Sequence, residues 1–208
     1  MKIKIKICGL ARVEDLMVAA AAGADYAGFV FAAGSPRQVT PEQARSLIGQ
    51  LPAKVIPVGV FVDADPSEIE RIVAFCGLRI VQMHGSETAA DIERLHHCAT
   101  VWKAVALHTD KDLQRCDAFP VEAMVVDNMQ PGRPGGTGCT GDWRLAARLA
   151  RRRRIVLAGG LNPDNVAQAA RMVRPFGVDV ASGVELQPGI KDHDKVRAFC
   201  AALGVGSK

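Results

Sequence analysis

From its start the chain alternates. Lys2, Lys4, Lys6 and Cys8 fall on one face of an extended segment, and Ile3, Ile5 and Ile7 fall on the other. Similar short apolar, β-branched runs recur along the chain. The pattern predicts strands at 3–7, 26–31, 55–61, 80–83, 101–106, 123–126, 155–158 and 178–181. Between them lie stretches of helical periodicity with start signals. Pro41 follows Thr40, Pro66 follows Asp65 and Pro163 follows Asn162, each placing proline near a first helical position behind a good capping residue. The last helix is expected over about 191–203. Eight strands alternating with eight helices force parallel pairing, and eight such units close a barrel. The expected fold is therefore α/β, a single-domain (β/α)8 TIM barrel over residues 1–208, with an open doubly wound sheet as the alternative.

Composition does not disturb this picture. Apolar residues are 49% and charged residues 23% of 208, an ordinary globular balance. A net charge of +4 is too mild to indicate nucleic acid or a membrane surface as partner. No apolar run has the length of a membrane span, and the lysine-rich N-terminus lacks the apolar stretch of a signal peptide. Six widely spaced cysteines without a CxxC pair suggest neither a disulfide framework nor a zinc site. A reducing cytoplasm is the expected location.

A barrel requires its site at the C-terminal ends of the strands. The unusual residues gather there: Cys8-Gly9, Ser35-Pro36-Arg37, Gln82-Met83-His84-Gly85, Asp127, Gly159-Gly160-Leu161-Asn162 and Ser182-Gly183. The last two loops follow strands seven and eight, where barrels hold phosphate on backbone N–H groups; Gly159, Gly160, Ser182 and Gly183 are the candidate phosphate ligands. Cys8 and Asp127 end non-adjacent strands and could face each other across the mouth as base and acid. Parity places Lys6 in the interior beneath Cys8, where a cation favours thiolate and needs an acidic partner.

Other features carry less. Residues 136–141 match GxGxxG but do not follow directly from a strand, and no acid stands about 20 residues on. Arg151–Arg154 reads as a solvated helix end and His96-His97 as surface.

Taken in order, the segments Lys6-Ile7-Cys8-Gly9-Leu10, Ser35-Pro36-Arg37, Val81-Gln82-Met83-His84-Gly85, Gly135-Gly136-Thr137-Gly138 with Asp142-Trp143, Gly159-Gly160-Leu161-Asn162-Pro163 and Ser182-Gly183-Val184-Glu185 closely resemble the phosphoribosylanthranilate isomerases of tryptophan biosynthesis. The resemblance spans the chain. It implies an Amadori rearrangement of N-(5-phosphoribosyl)anthranilate without metal or organic cofactor, in a monomer or homodimer. It also implies Cys8 as general base and Asp127 as general acid. Arg37 would hold the anthranilate carboxylate, with Gln82, His84 and Asp179 in the substrate-binding set. One loop departs from the family's usual GGTGKTFDW: Cys139 stands for a common lysine and Gly141 for a common phenylalanine. A metal-dependent pentose-phosphate epimerase would need several histidines and acids at strand ends, where only His84 qualifies. A non-catalytic phosphosugar-binding barrel is the remaining alternative.

Overall fold

The computed structural model describes residues 2–127 and 142–204. Eight strands close a barrel in sequence order: β1 (Lys4–Cys8), β2 (Tyr26–Val30), β3 (Ile56–Phe61), β4 (Ile80–Met83), β5 (Thr100–Val105), β6 (Ala123–Val126), β7 (Ile155–Leu157) and β8 (Gly177–Val180). Every ladder is parallel, and β1 pairs with β8 to complete the ring. The expected strands each appear: β4 and β6 have the expected bounds, β2, β3 and β7 are one residue shorter, and β1, β5 and β8 are shifted by one residue.

Eight α-helices follow the strands: α1 (Val13–Ala22), α2 (Pro41–Ile48), α3 (Pro66–Cys76), α4 (Ala89–Leu95), α5 (Asp110–Arg115), α6 (Trp143–Ala150), α7 (Val166–Val173) and α8 (His193–Ala201). Two of the three proline-led starts hold. Thr40 caps α2 through a capping box with Gln43, and the Asp65 carboxylate accepts from the Ser67 N–H at the start of α3. The third does not. The Asn162 side chain instead accepts from the N–H groups of Asp164 and Asn165, making a turn before α7, which begins at Val166. The final helix also starts later than expected. Asp192 caps it, and Lys191 belongs to a short antiparallel hairpin of β9 (Glu185–Gln187) and β10 (Ile190–Lys191). No described helix is long and apolar enough to cross a membrane.

Alternation along the strands sorts the side chains into two cores. Ile5, Ile7, Phe29, Val81 and Met124 face the helices. Tyr26, Val58, Ile80, Trp102, Val125 and Val156 fill the barrel, with Tyr26 and Trp102 edge to face at 5.0 Å. Above this apolar floor the interior turns polar: Lys6, Gln82 and Asp179 are all buried.

Of the four arginines after α6, Arg152, Arg153 and Arg154 are not simply solvated. Arg153 donates to the carbonyls of Cys116 at 3.1 Å and Phe119 at 2.9 Å. Arg152 meets Asp117 at 3.2 Å, and Arg154 pairs with Glu122 while lying over the Phe176 ring. They fasten the α5–β6 connection to the N-terminal end of the barrel. Side-chain reach to loop carbonyls decides this, and helix-end position alone does not reveal it.

Candidate active site

The residues expected at the strand ends converge on one cavity of about 400 Å³ at the C-terminal mouth. Cys8, Arg37, Gln82, His84 and Asp127 line one part of it. Asp179, Gly159, Gly160, Ser182 and Gly183 complete the wall from β7 and β8. The loop carrying Gly135–Gly141, with Cys139, lies outside the described residues, as does the GxGxxG match.

Cys8 ends β1 beside Gly28 of β2, its partner in register. A Cβ on Gly28 would come within 2.8 Å of the Cys8 sulfur, so the glycine makes room for the thiol. Beneath it Lys6 is fully buried, and its ammonium donates to Asp179 Oδ2 at 2.8 Å. Lys6 and Asp179 are register partners across the seam that closes the barrel. This is the acidic partner that the sequence did not reveal, because only closure brings β1 against β8. Burial depresses the Lys6 pKa, but Asp179 and Cys8 more than restore it, and it stands above the ordinary lysine value. Cys8 is also raised, against the expectation of a favoured thiolate. Burial is the main cause; Lys6 pulls the thiol down and Asp179 pushes it back up.

Across the mouth, β4 and β6 set a second polar line. The Gln82 Nε2 donates to His84 Nδ1 at 3.1 Å, which leaves the imidazole Nε2 to carry its hydrogen. That nitrogen lies 3.4 Å from Asp127 Oδ2. Gln82 Oε1, His84 Nε2, Asp127 Oδ1 and Asp179 Oδ1 are buried without a hydrogen-bond partner. Four orphaned polar atoms around one cavity are what a polar ligand satisfies.

The remaining wall is made of turns. Gly159 and Gly160 adopt φ of 77° and 67°. Ser182–Val184 form a 3₁₀ turn packed against Leu161 so tightly that a Cβ on Gly183 would overlap the Leu161 carbonyl oxygen. Such a turn presents bare backbone to the cavity.

Arg37 reaches the cavity from the β2–α2 loop, but it is not free. Its Nε and Nη2 donate to Glu185 at 2.8 and 2.6 Å. Glu185 and Lys191 carry buried charges that sequence reasoning gave no role. Their place in the segment after Ser182 was visible, but the hairpin that turns them inward was not. Among the described residues, no cluster of three or more His, Cys, Asp or Glu is placed to hold a metal ion.

Comparison with known proteins agrees. The family model described as N-(5'phosphoribosyl)anthranilate (PRA) isomerase matches residues 5–202. An N-(5'-phosphoribosyl)anthranilate isomerase of Pelobacter propionicus is 46% identical over 200 residues, covering 95% of this chain and 93% of the relative. The solved phosphoribosyl anthranilate isomerase of Thermotoga maritima superimposes with a TM-score of 0.89 at 39% identity, covering 97% of this chain and 98% of that one. A further solved isomerase, in complex with reduced 1-(o-carboxyphenylamino)-1-deoxyribulose 5-phosphate, gives 0.86 at 37%, with the same coverage. By sequence and by fold, the chain belongs to the phosphoribosylanthranilate isomerase family.

Proposed function

We propose that the protein converts N-(5-phosphoribosyl)anthranilate to 1-(2-carboxyphenylamino)-1-deoxyribulose 5-phosphate by acid–base catalysis between Cys8 and Asp127. One observation carries this reading. Two proton-transfer groups from non-adjacent strands line a single cavity that is also walled by the glycine turns after β7 and β8. Family membership supplies the substrate.

Asp127 gives its proton to the furanose oxygen, and the ring opens to the protonated Schiff base at C1. The C2 proton becomes acidic, and the Cys8 thiolate removes it, forming the enolamine. Return of that proton to C1 and loss of the C2 hydroxyl proton to Asp127 give the ketone and restore both groups. No electron transfer and no covalent enzyme intermediate is needed.

The supporting parts are chemically consistent. The bare amides at Gly160 and Gly183 suit the 5-phosphate. The Nη1 edge of Arg37, left over by Glu185, suits the ring carboxylate. The orphaned atoms of Gln82, His84 and Asp179 suit the ribose hydroxyls and the amine. Cys8 must lose its proton before it acts, and Lys6 is the neighbour that favours that loss. The working location is a reducing compartment, as a free thiol requires.

The test is a fluorescence assay following loss of phosphoribosylanthranilate on addition of the purified protein. Turnover that also yields the ketose product supports the reading. Binding without turnover would instead favour a phosphosugar-binding barrel.

A further inference from the structure

Arg37 is fixed by groups that do not line the cavity. Its stem lies flat across Gly9, where a Cβ would come within 2.5 Å of Arg37 Cδ. Its head is clamped through Nε and Nη2 by Glu185, whose side chain is only 4% exposed. A guanidinium has two edges able to grip a carboxylate. Glu185 occupies the inner one, which leaves the Nη1 side for the cavity.

Glu185 alone would cancel the charge Arg37 offers a ligand. It does not stand alone. The Lys191 ammonium donates to Glu185 Oε1 at 2.8 Å and to the Ala181 carbonyl at 3.2 Å, fully buried. The Lys191 backbone N–H is held by Asp15 Oδ2 at 3.1 Å, tying the hairpin to α1. Two cations on one carboxylate leave a net positive charge beside the cavity. A buried charge triad is a poor source of stability, because desolvation offsets its attraction. Orientation is what it supplies.

We propose that Glu185, charge-balanced by Lys191, is a positioning residue for Arg37 that sets selectivity for a ligand bearing an aryl carboxylate. This rests on the reading of Arg37 as the partner of that carboxylate. A pure charge effect has the opposite sign: removing an anion beside Arg37 would strengthen anion binding, whereas loss of the clamp weakens selective binding.

The experiment measures affinity for the product, 1-(2-carboxyphenylamino)-1-deoxyribulose 5-phosphate, against the same ligand lacking the ring carboxylate. The parent, Glu185→Gln, Glu185→Asp and Arg37→Ala are compared, with inhibition by inorganic phosphate as the reference for an intact site. Glu185→Gln is expected to lose about tenfold of the parent's preference for the carboxylate, with phosphate inhibition unchanged. Glu185→Asp keeps the charge but shortens the reach, and it is expected to lose the preference too, even if Glu185→Gln proves unstable. Parental preference in either folded Glu185 variant, alongside its loss in Arg37→Ala, overturns the positioning role alone. Parental preference in Arg37→Ala overturns the reading of Arg37, and this proposal with it.

Discussion

Replacing Gly183 by alanine should disable substrate binding far more than it unfolds the protein. The added methyl would overlap the Leu161 carbonyl oxygen, and it would stand 2.9 Å from the Leu161 carbonyl carbon and 3.2 Å from Asn162 Cα. These are backbone atoms, so no side chain can swing away. The 3₁₀ turn and the β7–α7 loop must part by roughly an ångström. Overpacking of this kind costs about 1–3 kcal/mol, and for a chain of this size that lowers Tm by roughly 2–12 °C. The functional cost is larger. Both segments wall the proposed phosphate site, and misplacing a binding group by about 1 Å can cost about 10²-fold. The expected result is a kcat/KM near 1% of the parent, dominated by KM, with inhibition by inorganic phosphate weakened in parallel. Steady-state kinetics and a thermal melt of the same preparation read both effects. Gly49→Ala is the control: Gly49 has φ of −61° and its nearest new contacts lie at 3.5 Å, so activity should not change. A folded Gly183→Ala protein with parental KM and parental phosphate inhibition would refute the placement of phosphate at this turn.

Further outcomes follow from the buried charges. Because burial raises the Cys8 thiol, its reactivity should still be climbing with pH where that of an ordinary thiol has levelled. Asp179→Asn removes an anion that holds the proton on and should move this limb to lower pH. Lys6→Met removes the opposing cation and should move it higher. The pH dependence of Cys8 alkylation by iodoacetamide, with the site confirmed by peptide mapping, checks both, and shifts in the same direction would sink the electrostatic account. Cys200, on the buried face of α8, is pushed up to about 11, chiefly by burial. Its folded pKa exceeds the unfolded one, so its contribution is intact below about 8.5 and is lost as pH rises towards 11. Denaturant melts should lose on the order of 2–3 kcal/mol across that window, and Cys200→Ala should flatten the loss; an unchanged slope would mean another group is responsible.

The barrel was legible because its signals are local. Alternation at Lys2–Cys8 put Ile5 and Ile7 against the helices and Lys6 and Cys8 inside, and all four are buried. Thr40 and Asp65 announced their helices because capping is decided within a few residues. Asn162 misled because an asparagine before proline caps a turn as readily as a helix. The strand-end rule gathered Cys8, Arg37, Asp127 and the glycines into one cavity without any distance being known. Pairings across the fold were not accessible in this way. Lys6 meets Asp179 only because the sheet closes, 173 residues apart. Arg37 meets Glu185 only because a short hairpin turns the latter inward, 148 residues away. The protonated state of Cys8 was misjudged for a related reason: burial outweighs the neighbouring lysine, and depth is not written in a strand's parity.

The most direct test of the account is the kcat of Cys8→Ala and of Asp127→Asn with phosphoribosylanthranilate, measured beside the parent at a pH where the parent is fully active. Each change removes one proton-transfer group and leaves the turns and Arg37 in place. Losses of about 10²–10⁴-fold in kcat are expected for each, with KM nearly unchanged and the double variant little worse than the poorer single one, since the groups act in one cycle. Either single variant turning over within about tenfold of the parent would contradict the assignment of Cys8 and Asp127 as the catalytic base and acid.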